Sequence, residues 1–94
     1  MLKVTVKVAQ DGEIWELEGK LAGDWVAELA RCWRDRENDS SRRSLQIHMK
    51  SVSYVDSDGK HLLAEMHGRG VEIRGGSCVT NAVVDEITHK KVAR

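Results

Sequence analysis

Proline and phenylalanine are both absent from this chain of 94 residues, and only two cysteines occur, Cys32 and Cys78. The first two absences decide nothing about function. So few cysteines exclude a disulfide scaffold, and with no export signal both thiols are expected to be reduced and buried. An excess of charge is also missing: fifteen basic residues balance fifteen acidic ones. Nucleic-acid binding, which needs a basic patch and usually a high pI, is therefore not indicated. No run reaches the roughly 18 apolar residues of a membrane span, so no direct membrane insertion is expected. The opening "MLKVTVKV" alternates rather than joining a charged start to an apolar block, so it does not read as a signal peptide. What is left is a cytoplasmic protein of one domain, residues 1–94, large enough for one modest core.

What is present is a regular alternation of strand and helix patterns. Residues 2–9 place Leu2, Val4, Val6 and Val8 on one face and Lys3, Thr5 and Lys7 on the other, a half-buried strand. Asp11-Gly12 is a turn pair, and residues 13–18 continue as the second arm of a hairpin, with Trp15 and Leu17 inward. Gly19 and Gly23 break that pattern. Asp24 then caps an amphipathic helix over residues 24–37, whose apolar side carries Trp25, Val26, Leu29, Ala30 and Trp33. After the polar loop "ENDSSRRS", Leu45, Ile47 and Met49 alternate with Gln46, His48 and Lys50 in a third strand. An acidic turn leads into a second helix with Leu62, Leu63 and Met66 on one face, closed by Gly68 and Gly70. "VEIR" is a fourth strand, and Gly75-Gly76 turns the chain. Ser77 caps a last helix bearing Val79, Ala82, Val83 and Ile87. The tail "THKKVAR" is basic, which suits the negative end of a helix. The three tryptophans all fall on apolar sides and are expected in the core; a partly exposed one would mark a partner surface.

The order β-β-α-β-α-β-α predicts an α/β fold with a four-stranded mixed sheet, the later strands parallel and joined by right-handed crossovers. Strands covered on both faces would be apolar throughout, and these alternate. The helices are therefore expected mainly on one face, with Lys3, Lys7, Gln46, His48 and Lys50 towards solvent on the other.

Catalytic sets are not evident. The four histidines, His48, His61, His67 and His89, contain no pair three or four apart, so no metal site is expected. There is no P-loop and no G-x-G-x-x-G, and the glycines of "HGRGVEIRGG" read as helix ends and turns around a strand, so no cofactor is implied. Asp56 and Asp58 flank Ser57 at a strand-to-helix turn. Short polar side chains there are ordinary caps, and carboxylates suit a helix's positive end.

The segments "IWELEGKLAGDWVAEL" and "LQIHMKSVSYVDSDGKHLL" resemble the STAS domain, the family of bacterial anti-sigma factor antagonists and of the cytoplasmic tails of sulphate transporters. The family's apolar-Asp-Ser-x-Gly motif matches Val55-Asp56-Ser57-Asp58-Gly59, and Leu17-Glu18-Gly19-Lys20-Leu21 is similar to its Leu-x-Gly-x-Leu segment before the first helix. The likeness spans nearly the whole chain, and "DxxGK" at the turn resembles small stand-alone members. Asp58 stands where the family usually has Ser or Ala, Lys60 where it has Leu, and His48 where it often has Asp. The chain ends soon after the last helix, which leaves little room for the terminal strand of many members.

The resemblance implies a non-enzymatic regulatory module. It would bind a protein partner, an anti-sigma factor that is also a serine kinase, through Asp56, Ser57, Asp58, Gly59, Lys60 and His61. Phosphorylation of Ser57 would release that partner. The alternative it implies is an accessory subunit docking on the ATPase of an ABC lipid-transport complex. A third class, a nucleotide binder using the turns at Ser57 and Ser77, lacks any base–nucleophile pair.

Overall fold

A computed structural model describes residues 2–38 and 44–89. Seven elements follow one another: β1 (Leu2–Val8), β2 (Gly12–Leu21), α1 (Asp24–Asn38), β3 (Ser44–Val55), α2 (Ser57–Gly68), β4 (Glu72–Gly75) and α3 (Cys78–His89). The sheet order is β1-β2-β3-β4. β1 pairs antiparallel with β2, as a short hairpin connection dictates, and β2, β3 and β4 are parallel across the two helical crossovers. Two right-handed crossovers stepping the same way along the sheet put α1 and α2 on the same face. α3 packs beside α2 on that face. The shortest dimension, 22 Å, is that of one sheet plus one helix layer.

The core lies between the layers. Trp15, Leu17 and Leu21 of β2, Leu45, Ile47 and Met49 of β3 and Ile73 of β4 meet Leu29 and Trp33 of α1, Leu63 and Met66 of α2, and Val83 and Ile87 of α3. Each fully buried aliphatic side chain contributes roughly 1.5–3 kcal/mol relative to exposure. None of the described elements covers the other face of the sheet. Lys3, Lys7 and Lys50 are exposed there, and Gln46 and His48 partly so. Glu16 sits among these cations, 3.2 Å from Lys7 Nζ and 4.0 Å from Lys50 Nζ. The Lys7 hydrogen bond, aided by both lysine charges, holds its carboxyl below the usual range.

Several expectations are corrected. β2 does not stop at Glu18 but runs on to Leu21, with Gly19 at φ 108°, a conformation that favours glycine. β3 continues to Val55 through two bulges, because the three residues of β2 from Glu16 to Glu18 are matched by four of β3, His48 to Ser51, and the two from Gly19 to Lys20 by three, Val52 to Tyr54. Met49, Val52 and Val55 therefore share the core face at intervals of three, and Tyr54 turns outward. On α1 the buried stripe is Val26, Leu29, Ala30 and Trp33. Trp25 lies beside it, on the flank shared with Cys32, and is exposed. Both cysteines are free and exposed rather than buried: Cys32 faces the unroofed side of β1, and Cys78 opens α3. Val4, Val6 and Val8 are exposed because α1 packs on β2 and no described element covers β1. On α3 the exposed Ala82 is replaced in the stripe by Thr80, which is fully buried. The side chain of Val79, the loop residues 39–43 and the basic tail 90–94 lie outside the described residues.

Candidate functional site

The site begins where β2 and β3 end side by side. The Asp56 N–H donates to Leu21 O at 3.2 Å, joining the two strand ends. The Asp56 side chain then does two things. Oδ1 accepts from the Gly59 N–H at 2.8 Å, which caps α2, and Oδ2 accepts from the Gly23 N–H at 3.0 Å, which ties in the turn before α1. Those two bonds, Gly23 first and Gly59 second, hold the Asp56 carboxyl below its ordinary value.

With Asp56 as the cap, Ser57 is not one. It is the first residue of α2, it is exposed, and its hydroxyl makes no hydrogen bond among the described residues. Asp58 is exposed beside it. Gly59 is the opposite, buried and wedged into the strand ends. A Cβ on it would lie 2.7 Å from Leu21 O and 2.9 Å from Val55 Cγ1. Lys60 reaches from α2 to α3, its Nζ 3.1 Å from Glu86 Oε1. His61 stands exposed between two shallow grooves. One, of about 240 Å³, runs between α2 and α3 and is lined by Ser57, Lys60, His61 and Glu86. The other, of about 300 Å³, runs between α1 and α2 past Ala30, Arg34, Asp58 and Glu65.

The six residues expected at the site thus divide by job. Asp56 and Gly59 build the turn, while Ser57, Asp58, Lys60 and His61 form one continuous surface at the start of α2. Two participants were not foreseen in the sequence. Gly23, at φ 61°, donates to Asp56, and the only local hint was its place just before the Asp24 helix start. Glu86 is brought in from α3, and no local pattern pairs it with Lys60. The second turn, before α3, is built differently. Thr80 Oγ1 accepts from the Gly76 and Ser77 N–H groups at 2.8 and 2.9 Å, and Ser77 Oγ accepts from the Thr80 N–H at 3.3 Å, so Ser77 caps α3 as expected. Among the described residues no three His, Cys, Asp or Glu side chains gather where a metal ion could be held. None of the described helices is long and apolar enough to cross a membrane.

No protein-family model and no curated protein matches the chain. Among solved structures, an antisigma-factor antagonist STAS domain from Rhodobacter sphaeroides is similar over 80% of this chain and 86% of its own length, with 21% sequence identity and a TM-score of 0.56. That likeness, together with the four-stranded mixed sheet and its helices, gives this chain the fold of the STAS domain.

Proposed function

We propose that the chain is a regulatory protein-binding module of the anti-sigma factor antagonist kind, whose docking surface is the start of α2 and whose control is phosphorylation of Ser57. One observation carries the reading. The serine of the turn is exposed and unbonded, because its aspartate neighbour does the capping. Its hydroxyl is therefore available to a kinase without disturbing the fold. A phosphoryl group there brings about −1.5 to −2 charges at neutral pH. It lands beside Asp58, and the groove it faces holds the Lys60–Glu86 ion pair, which carries no net charge, and His61. A partner shaped to neutral Ser57 meets the phosphoryl charge beside that of Asp58, and a larger group. The free N–H groups of the first turn of α2 tolerate that charge, so the domain itself stays folded.

The experiment is affinity capture from the native cells with the wild type, Ser57→Ala and Ser57→Asp, alongside a thermal melt of each. A kinase-like partner kept by the alanine form and lost from the aspartate form, with unchanged melts, is the expected result. A transporter ATPase recovered equally with all three would make this a constitutive subunit and refute the switch.

A further inference from the structure

Exposed large apolar side chains are few among the described residues, and they are not scattered. Of the five, Val4, Val6, Val8 and Trp25 lie on one side of the molecule, at 40, 52, 64 and 41% exposure. The three valines form a row along the helix-facing side of β1, which is an edge strand. Trp25 faces the same row from α1, and between them runs a groove of about 540 Å³ floored by Leu2, Val4, Leu29 and Cys32. Asp24 and Glu28 also line it, Glu28 being paired with Arg31. Contiguous apolar surface of this kind marks an interaction site, and a half-exposed tryptophan is a usual anchor. The patch is on the β1 edge of the sheet, whereas Ser57 opens onto the groove between α2 and α3.

We infer that the β1 edge is a docking site for an extended segment of a partner protein, one that adds a fifth strand and alternates apolar with acidic residues. The edge position supplies the backbone. Alternate N–H and C=O groups of an edge strand point away from its neighbour and are open to another strand. The two faces of β1 supply the side-chain requirement. On the groove side the valine row and Trp25 accept apolar side chains, and Asp24 in its lining disfavours acidic ones. On the open side Lys3 and Lys7 stand four residues apart, and Lys3 makes no ion pair among the described residues. Glu16 holds Lys7 but also has Lys50 within 4.0 Å, so Lys7 can turn to a new carboxylate without stranding Glu16. The same lysines disfavour the self-pairing of β1 that is centred on Thr5. An antiparallel β1–β1 pair that sets Val4 against Val6 also sets Lys3 against Lys7, and like charges opposite one another destabilise a ladder.

The test uses the full chain, isotopically labelled, titrated with the acetylated and amidated peptide Val-Glu-Val-Glu-Val-Glu-Val and followed by amide NMR shifts. The expected result is saturable shifts confined to residues 2–8 and the Trp25 indole, with binding roughly two- to thirty-fold weaker when lysine replaces every glutamate. Backbone N-methylation of the peptide removes the binding. No shifts on β1, equal binding of the lysine or N-methylated peptide, or a sedimentation profile of a β1-joined dimer would each overturn the inference.

Discussion

Gly59→Ala probes the geometry on which the site depends. If α2 starts hard against the ends of β2 and β3, position 59 has no room for a methyl group. The added Cβ would meet Leu21 O at 2.7 Å, Val55 Cγ1 at 2.9 Å and Leu21 Cγ at 3.2 Å. The nearest of these is a backbone atom held in the sheet, which cannot swing aside as a flexible side chain would. Two effects oppose each other. Alanine is the better helix former by about 0.8–1 kcal/mol in a helix interior. Overpacking a tight site costs about 1–3 kcal/mol, and the contact with the Leu21 carbonyl places this case at the upper end. The clash wins, leaving a net loss of about 1–2 kcal/mol. For a domain of this size each kcal/mol moves the melting temperature by about 4–8 °C. A circular-dichroism melt should therefore fall by roughly 5–15 °C, while Ser57→Ala two residues away moves within about 0.5 kcal/mol of wild type. A Gly59→Ala protein that melts at or above wild type would show that helix propensity prevails and that α2 is not wedged against Leu21.

Two further predictions concern the turns. Thr80→Val removes a buried oxygen that accepts two backbone N–H groups, so it should destabilise by about 1–3 kcal/mol or more in chemical denaturation, and Thr80→Ser, which keeps the oxygen, should recover most of the loss. Asp56 has a carboxyl held below its ordinary value near 3.8, so its contribution is fully present above that pH and is lost as the pH falls through the lower folded value. Asp56→Asn should lower stability at neutral pH and flatten the acid limb of the stability profile, and an unchanged acid limb would count against the clamp.

The fold was largely legible because every element is amphipathic at its own period. Alternation marked β1 and β2, the spacing of Val26, Leu29, Ala30 and Trp33 marked α1, and the helix between each later pair of strands required parallel pairing. What escaped was set by neighbours that local pattern does not report. The bulges of β3 change its period from two to three, so Val52 and Val55 share a face that simple alternation denies them. Trp25 and Cys32 are apolar in type but lie off the stripe, on a groove that they share with Leu2 and Val4 of the edge strand β1. At the turn, the sequence placed Asp56, Ser57 and Asp58 between a strand and a helix but left open which of them caps it. Asp56 and Ser57 are both good caps by type, and the Gly23 N–H, 33 residues away, helps fix the aspartate in that place and leaves the serine free.

If modification of Ser57 decides whether the partner is held, the phosphorylated form is the one released. The most direct measurement is phosphosite mapping by tandem mass spectrometry of the protein from its native cells, after separating the partner-bound pool from the free pool. The account predicts phosphorylated Ser57 in the free pool and unmodified Ser57 in the bound one. Ser57 unmodified in both pools under every growth condition, or phosphorylated equally in both, would contradict it.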